Sequence, residues 1–419
     1  MPSAPYSVSQ SVSYSVTIDE AGADGLNSGT LGSFAPRQLL PGFEQQDRAF
    51  SSAFSILDAA VADRVFPGAS IAVTHGGRLV ALKALGRFTY DSDSPLVKTD
   101  TLFDVASVSK VVATTTVAMI LYERGLLDLD APVVGIVPEF AGTGFAGADL
   151  AGTGAGDGDA RRRAVTLRML LAHSSGLPAY EKLFLKAGTR EQLLRAVFTT
   201  PLAADPGSRA EYSDIGFMVL CEALERVAGE TLDRFCQREI FGPLGMGHTT
   251  YNPPPEARAK IPPTQDDRTF RKRIIQGEVQ DENASVLGGV AGQAGVFSTT
   301  EDIARFAHAM LRGGHPILRP ETVALFTRRE TAPEGTSRAL GWDTPSGRSQ
   351  SGKYFSPQAY GHLGYTGTSL WIDPARELSV VLLTNRTWPD SSNQISSQAI
   401  KLIRPKFHDA VVEALDAAV

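Results

Sequence analysis

The stretch Phe103-Asp104-Val105-Ala106-Ser107-Val108-Ser109-Lys110 joins a short extended segment to an apolar helix that we predict over residues 109–124. Residues three apart lie on one side of a helix, so the Lys110 amine can approach the Ser107 hydroxyl close to the positive end of the helix dipole. A lysine in a dry, positively charged pocket can have its pKa lowered enough to take the serine proton. The pair therefore predicts a nucleophilic serine, although Ser-x-x-Lys occurs by chance about once in a chain of this length.

The segments around this stretch carry strand signals at both ends of the chain and helix signals between them. A helical pattern over 45–65 precedes a hairpin signature, in which two β-prone runs at 70–74 and 79–82 are joined by His75-Gly-Gly77. Two further β-rich runs follow near the C-terminus. The predicted helices cover 109–124, 166–173, 190–198, 213–227, 231–241, 300–311, 321–326 and 395–403, and the late strands cover 369–372 and 378–383.

This arrangement predicts one sheet assembled from both ends of the chain. The fold class is α+β: an antiparallel sheet flanked by helices, plus an all-helical lobe. We expect residues 1–36 to form a flexible tail, residues 37–98 and 296–419 to form an α/β lobe, and residues 99–295 to form the helical lobe.

A low-complexity insertion at 141–163, rich in Gly, Ala and Asp, has too little apolar surface for a core, and we expect it on the surface. Within it, Gly142-Thr-Gly-Phe-Ala-Gly147 fits the pattern G-x-G-x-x-G. No strand precedes this segment and no convincing helix follows it, which argues against a dinucleotide site.

Composition excludes several classes of protein. The chain has 419 residues, of which 42% are hydrophobic and 21% charged, values typical of a folded globular protein. Its net charge of −6 is the wrong sign for binding nucleic acid. No run approaches the roughly 18 apolar residues of a membrane span. The N-terminus has no Lys or Arg before Arg37 and no apolar core of a signal peptide, which favours the cytoplasm over the periplasm or cell envelope.

Two later segments carry polar groups suited to chemistry. Glu211-Tyr212-Ser213-Asp214 precedes an apolar helix, where Ser213 or Asp214 also fits the ordinary role of a helix cap. Gly361-His-Leu-Gly364-Tyr-Thr-Gly367 leads into a late strand, where the glycines allow a close approach of the backbone but also fit a bulged edge strand.

Taken together and in order, the three segments resemble the penicillin-recognising serine hydrolases, in which Ser-x-x-Lys is followed by Tyr-x-Asn and then by Lys/His-Thr-Gly. The match looks closest to the branch of class C β-lactamases, D,D-carboxypeptidases and β-lactamase-like carboxylesterases. Phe66-Pro-Gly-Ala-Ser70 and Leu170-Leu-Ala-His-Ser-Ser-Gly-Leu-Pro178 add to the likeness, which spans about 43–386. The resemblance implies a β-lactamase/transpeptidase-like fold.

The resemblance also implies a role for each matching residue. Ser107 would be the acylated nucleophile, and Lys110 would accept its proton or keep the local charge positive. Tyr212, kept partly ionised by that lysine, would pass the proton to the leaving group and activate water. The backbone N–H groups of Ser107 and Tyr365 would bind the oxyanion. Asp214, His362 and Gly364 would lie against the substrate.

Departures from the family pattern bear on the substrate. Asp214 stands where many relatives have Asn, and a carboxylate cannot donate to a substrate carbonyl. His362 and Leu363 replace the Lys and Thr of β-lactamases, which weakens the attraction for a substrate carboxylate. The substrate is therefore a small-molecule ester, a peptide or a β-lactam, with a neutral ester favoured. A D,D-carboxypeptidase or weak β-lactamase is one alternative, and an inactive peptidoglycan-binding or scaffolding module is another.

Other residues give weaker signals. The remaining histidines have no H-x-H or H-E-x-x-H spacing and the two cysteines, Cys221 and Cys236, fit buried apolar positions, so we expect neither a metal nor a cofactor. His173 fits a buried or capping position. Asp281-Glu-Asn283, with Gln293 beyond it, could lie near the cleft, but a solvated loop is the simpler interpretation. The sequence indicates no oligomeric state.

Overall fold

A computed structural model describes residues 39–142, 159–347 and 349–417. Eleven strands lie in these ranges. They are β1 Leu40–Pro41, β2 Gly68–His75, β3 Arg78–Gly86, β4 Phe103–Asp104, β5 Thr250–Tyr251, β6 Gln265–Asp267, β7 Arg273–Ile275, β8 Val296–Ser298, β9 Tyr360–Leu363, β10 Ser369–Asp373 and β11 Leu378–Thr384.

Twelve α-helices lie in the same ranges. They are α1 Gln46–Ala49, α2 Ser51–Ala62, α3 Thr116–Glu123, α4 Leu167–Leu171, α5 Arg190–Thr199, α6 Asp214–Ala228, α7 Leu232–Cys236, α8 Pro255–Arg258, α9 Glu282–Val286, α10 Thr300–Leu311, α11 Pro320–Thr327 and α12 Gln394–Asp416. None of these helices is both long enough and apolar enough to span a bilayer. Cys221 and Cys236, in α6 and α7, are buried free thiols, as predicted.

Strands from both ends of the chain form one six-stranded sheet in the order β1-β3-β2-β11-β10-β9. All neighbours are antiparallel except β1 and β3. Along β11, Val380 and Leu382 enter one apolar core, and Val381 and Leu383 enter the other. Because successive side chains of a strand point to opposite faces, this continuous apolar run indicates a strand covered on both sides.

Helices pack against both faces of the six-stranded sheet. Helices α2 and α12 pack on one face of the sheet, and α10 packs on the other. The larger core continues from α10 into α3, α4, α6 and α7, which surround the segment that follows Ser107. The predicted α+β class, with an antiparallel sheet flanked by helices, is confirmed.

The last helix is longer than the sequence predicted. The sequence predicts its end near residue 403. Pro405, just beyond that point, removes one backbone hydrogen bond and disfavours a helix interior by about 3 kcal/mol. Helix α12 nevertheless continues to Asp416 with Pro405 inside it. Beyond the proline, Phe407, Val411 and Val412 are buried in the core between α2 and the sheet. Each contributes roughly 1.5–3 kcal/mol on burial, which together exceed the penalty.

Several predictions from the sequence concern residues outside the described ranges. These are the tail at 1–36, the Gly142–Gly147 segment beyond its first residue, and most of the insertion at 141–163. Its last residues are described: Ala160–Ala164 form a 3₁₀ turn in which Arg162 is buried and donates to the carbonyl of Phe198 at 2.9 Å. The division of the chain into two lobes stays a prediction.

Truncation of Phe407 tests the packing of the helix beyond the proline. We expect Phe407→Ala to lower the free energy of unfolding by about 3–5 kcal/mol, because a buried aromatic side chain leaves a cavity when it is removed. The neighbouring exposed Lys406→Ala is the control and should change it by less than about 0.5 kcal/mol. Urea unfolding followed by circular dichroism measures both, and equal effects of the two substitutions would mean that this part of α12 is not packed.

Candidate active site

The backbone turns sharply just before Ser107. Strand β4 pairs with β8, and a 3₁₀ turn at Ala106–Val108 follows it. Ala106 has a φ of +48°, in the left-handed region that costs a residue with a side chain roughly 1–2 kcal/mol. The buried Asp104 carboxylate holds this turn by accepting the N–H groups of Ala106 at 2.8 Å and Gln280 at 2.7 Å. The strained turn directs Ser107 away from the strand and out of the core.

Lys110 lies one turn further on, in a π-helical segment at Lys110–Thr115, and its side chain is fully buried. Its Nζ donates to Ser107 Oγ at 3.0 Å, to Asp214 Oδ1 at 2.6 Å and to the carbonyl of Gln293 at 2.9 Å. Burial alone would lower the pKa of Lys110, but the Asp214 charge and the interaction with the Tyr212 hydroxyl more than offset this effect, and the pKa is raised. The expected lowering of the lysine pKa is therefore wrong for the resting site, where the amine is a cation.

Tyr212 reaches Ser107 from the loop that precedes α6. Its hydroxyl donates to Ser107 Oγ at 2.8 Å, and its ring lies 4.7 Å from the ring of His173. Burial and the negative charge of Asp214 raise the pKa of Tyr212 to about 12, and Lys110 only partly opposes them. The resting phenol is thus protonated, and the expected partial ionisation is wrong because burial and the Asp214 charge together outweigh the lysine charge.

The loop that carries Tyr212 is clamped by the segment around His173. The His173 carbonyl accepts the N–H of Glu211 at 2.8 Å, and its Nδ1 accepts the N–H of Ser213 at 3.1 Å. Ser213 caps α6 through Gly216, as its ordinary role predicted, and Asp214 then begins the helix. One short loop therefore positions the Tyr212 phenol, the Ser213 helix cap and the Asp214 carboxylate.

His362 lies in β9 with its ring 5.9 Å from that of Tyr212. Its Nδ1 is 2.8 Å from the carbonyl of Leu363, which can only accept, so the proton is on Nδ1. The buried Nε2 is then an acceptor, and it has no hydrogen-bond partner within the described ranges. Burial, followed by the charges of Lys110 and Arg338, holds the pKa of His362 well below its usual range, so the imidazole is neutral.

The turn after β9 presents Tyr365. Gly364 is buried at its start, where a Cβ would lie 1.8 Å from Thr368 Oγ1 and 2.7 Å from the Val105 carbonyl. In the part of the chain that the structure describes, the N–H groups of Ser107 and Tyr365 donate to no backbone or side-chain acceptor. Both are therefore available to bind an oxygen atom.

Two further residues lie near the site. Asp281, whose segment the simpler interpretation left as a solvated loop, accepts from Gln293 Nε2 at 3.2 Å and caps α9. Burial and the Asp214 charge raise its pKa to about 7. The Arg338 guanidinium lies 5.5 Å from the Tyr212 ring centre, and no motif marked it. The sequence placed the segment of Asp281 near the cleft as the alternative to a solvated loop. Spacing alone could not find Arg338, because it reaches the site from a connecting segment.

The arrangement can support acyl transfer. The Lys110 ammonium and the Tyr212 phenol both lie within 3.0 Å of Ser107 Oγ. The N–H groups of Ser107 and Tyr365, which donate to no acceptor in the described residues, add two hydrogen-bond donors. No cluster of three or more His, Cys, Asp or Glu side chains suited to a metal ion occurs in residues 39–142, 159–347 and 349–417.

Comparisons with known proteins agree with this chemistry. A family model described as Beta-lactamase matches residues 54–404. A protein of Escherichia coli (strain K12), provisionally named D-alanyl-D-alanine carboxypeptidase, is 32% identical over 356 residues, which cover 77% of this chain and 79% of that protein.

Solved structures share the fold at lower identity. EstCE1, described as a hydrolase with promiscuous acyltransferase activity, has a TM-score of 0.67 at 23% identity over 87% of this chain and 99% of that one. A class C beta lactamase from Rhodobacter sphaeroides has a TM-score of 0.62 at 22% identity over 88% and 99%. These likenesses confirm the predicted β-lactamase/transpeptidase-like fold.

The raised pKa of Asp281 can be tested through protein stability, without measuring catalysis. Its raised pKa means that the folded protein binds a proton between about pH 4 and 7 that the unfolded chain releases, so the charged carboxylate destabilises the fold as the pH rises. Asp281→Asn keeps the accepting oxygen without the charge. We expect the variant to be more stable than the wild type by between about 1 and 4 kcal/mol at pH 8.

Urea unfolding at a series of pH values provides the internal control. The difference in unfolding free energy should shrink steadily as the pH falls and be smallest at about pH 3, where the carboxyl is mostly protonated in both states. A difference that does not change with pH would mean that the substitution acts through packing and not through charge.

Proposed function

The chain belongs to the beta-lactamase family of serine hydrolases, and on that premise we propose that it hydrolyses neutral carboxylic esters through an acyl-enzyme on Ser107. The observation that carries the proposal is the convergence of Lys110 Nζ and Tyr212 OH on Ser107 Oγ at 3.0 and 2.8 Å. Lys110 is one turn from Ser107, whereas Tyr212 comes from a segment 105 residues away, and a packing accident would not place two proton carriers on one hydroxyl.

Acylation requires the cluster to lose one proton first. In the resting site both Lys110 and Tyr212 donate to Ser107 Oγ, so neither can accept the serine proton. Once the coupled pair has released one proton to solvent, the free amine or phenolate accepts the proton of Ser107 as its oxygen attacks the ester carbon. The carbonyl oxygen becomes an oxyanion, which the N–H groups of Ser107 and Tyr365 stabilise.

The same groups complete the cycle. Collapse of the tetrahedral intermediate breaks the bond to the alcohol, and Tyr212 gives the leaving alkoxide the proton taken from Ser107. A water molecule then enters the place of the alcohol and loses a proton to Tyr212 as it attacks the acyl carbon. Release of the carboxylic acid returns that proton to Ser107, so protons balance over the turnover.

The groups around the serine favour an uncharged substrate. His362 is neutral and presents an unprotonated Nε2, and Leu363 offers no hydroxyl. The Asp214 carboxylate offsets the charge of Lys110. A substrate carboxylate beside His362 and Leu363 would thus meet acceptors where it needs donors, and it would lose hydration there without gaining a partner from these residues.

D,D-carboxypeptidase activity is the second candidate, and a specific residue favours it. Arg338 lies over the Tyr212 ring, and its ion pair with Asp343 is long, at 3.8 Å. A guanidinium in this position could bind a terminal carboxylate. The relative from Escherichia coli is named for that reaction.

Replacement of the nucleophile tests the proposal. We expect wild-type protein to hydrolyse p-nitrophenyl butyrate and to gain the mass of one phosphonyl group at Ser107 when treated with a fluorophosphonate. Ser107→Ala should lose at least about 10³-fold in kcat and should not be labelled, because the remaining groups cannot form the acyl-enzyme. The exposed Ser55→Ala is the control and should retain wild-type rates.

The outcomes separate the candidates. Activity that survives in Ser107→Ala would reject the nucleophile assignment. Turnover of a D-Ala-D-Ala peptide or of nitrocefin with a higher kcat/KM than the ester would favour the second candidate, and loss of that turnover in Arg338→Ala would identify its anchor.

Asp214 sets the pH dependence of the reaction. Its negative charge raises the pKa of both Lys110 and Tyr212, so more alkaline conditions are needed to form the base. Asp214→Asn removes that charge, and we expect the rising limb of kcat/KM against pH to move to lower pH by about one unit or more.

Rates of ester hydrolysis between pH 6 and 11 measure this shift. Asp130→Asn is a matched control, since Asp130 is also paired with a cation, Arg168, but it contacts no group of the site. Its profile should coincide with that of the wild type. An Asp214→Asn profile that stays in place, or moves to higher pH, would contradict the proposed charge state.

A further inference from the structure

Two buried arginines hold the turn that carries the N–H of Tyr365. The Arg404 guanidinium donates to the carbonyls of Gly364 at 2.8 Å, Gly367 at 3.1 Å and Thr368 at 2.9 Å. The Arg386 guanidinium donates twice to the carbonyl of Tyr365, at 3.1 and 2.7 Å. Nearly every carbonyl of this turn is thus directed at a cation.

Neither arginine is paired with a carboxylate in the described part of the chain. Arg386 is 2% exposed and Arg404 is 4% exposed. Burial and the neighbouring Arg386 charge lower the pKa of Arg404 to about 9, which leaves it protonated at neutral pH. Two cations that donate only to neutral groups, most of them carbonyls, leave a net positive charge beneath the turn, and such charges are costly to bury.

The contacts matter because of which peptide they touch. The carbonyl of Gly364 and the N–H of Tyr365 belong to one peptide unit. A charged donor on the carbonyl draws electron density from the nitrogen, so the N–H at the other end becomes a stronger donor. The Arg404 contact with Gly364 therefore acts directly on the N–H that would bind the oxyanion.

The turn is also fixed relative to the serine. Thr366 Oγ1 donates to the Asp104 carbonyl at 2.9 Å, and Thr368 Oγ1 donates to the Val105 carbonyl at 3.0 Å. These carbonyls lie three and two residues before Ser107. The segments that present the two free N–H groups are thereby tied to each other, and the arginines prevent the turn from rotating its peptides away.

We propose that Arg404 and Arg386 are positioning residues of the oxyanion site. Arg404 polarises the Gly364–Tyr365 peptide through the Gly364 carbonyl, and Arg386 orients Tyr365 by holding its carbonyl, so that the Tyr365 N–H stabilises negative charge on the substrate oxygen. The inference rests on the proposed function, since it assigns a role within the same acyl transfer. Both residues act through the backbone and neither contacts the substrate.

A third buried arginine allows structural and catalytic roles to be separated. Arg162 is 3% exposed and donates to the carbonyls of Phe198 and Thr200. None of its described contacts involves the residues around Ser107. Arg162→Met therefore reproduces the loss of a buried arginine that binds carbonyls, without touching the turn.

The experiment compares Arg404→Met, Arg404→Lys, Arg386→Lys and Arg162→Met, each checked for folding by circular dichroism. Ester kinetics give kcat and KM, and inhibition by a phenylboronic acid reports the oxyanion site, because its tetrahedral adduct with Ser107 places an oxygen there. We expect Arg404→Met to lower kcat by about 10- to 100-fold, less than the roughly 10²–10³-fold loss of an oxyanion donor itself. Its boronate affinity should fall by a similar factor, with KM nearly unchanged.

The lysine variants keep a charge but cannot bridge several carbonyls, so they should lie between Arg404→Met and the wild type in both measurements. They also keep the test decisive if Arg404→Met does not fold. Arg162→Met should lower the thermal midpoint while leaving kcat and boronate affinity unchanged.

Two outcomes would overturn the inference. One is a folded Arg404→Met, or failing that an Arg404→Lys, whose kcat and boronate affinity match the wild type. The other is a loss of kcat in Arg162→Met as large as that in the Arg404 variants, which would make the effect a general one of stability. Failure of the wild type to label at Ser107 would instead reject the proposed function, so the two failures are distinguishable.

Discussion

The buried charge of Lys110 is the constraint on which the site depends. An ammonium with no exposed surface is stable only if partners replace its water, and here they are a hydroxyl, a carboxylate and a carbonyl from three separate segments. Asp214 reaches it from the start of α6, and Gln293 reaches it from the glycine-rich segment before β8. Removing one partner of a buried ion pair typically costs about 3–5 kcal/mol. The groups that would perform the chemistry therefore also hold the segments of the site together.

The choice of a carboxylate at position 214 changes the resting state of the site. An amide there would leave the lysine charge unopposed, and that charge would favour ionisation of Tyr212. With Asp214 in place, the pair is close to neutral, and burial then keeps the phenol protonated, with a pKa of about 12. The resting site thus has two proton donors on Ser107 and no base, and its reactivity depends on losing one proton from a coupled cluster.

The sequence predicted what is encoded in short-range pattern and motif order. The hairpin of β2 and β3, the helix α10 and the three reactive positions follow from periodicity and from the order of Ser107, Tyr212 and His362. The sequence could not predict what depends on burial after folding. The charge states of Lys110 and Tyr212 follow from desolvation and from Asp214, which no spacing reveals. The end of α12 was predicted near residue 403 and not at Asp416, because the long-range packing of Phe407 leaves no local signal in the sequence. Arg404 carried no signal, since its partners are backbone carbonyls 36 to 40 residues away.

The charges near Ser107 are distributed unequally, and this bears on where negative charge can collect during acylation. The cation of Lys110 is largely cancelled by Asp214, so it attracts a distant anion only weakly. In residues 39–142, 159–347 and 349–417, Arg386 and Arg404 pair with no carboxylate, and both donate to carbonyls of the turn that carries Tyr365. An oxygen that becomes an anion gains more from an uncancelled cation acting through an oriented peptide than from a paired one. In a chain with an amide at position 214, the unopposed lysine cation can help to stabilise the oxyanion. In this chain Asp214 neutralises the lysine, so the oxyanion is stabilised by the Tyr365 turn and by Arg386 and Arg404 beneath it.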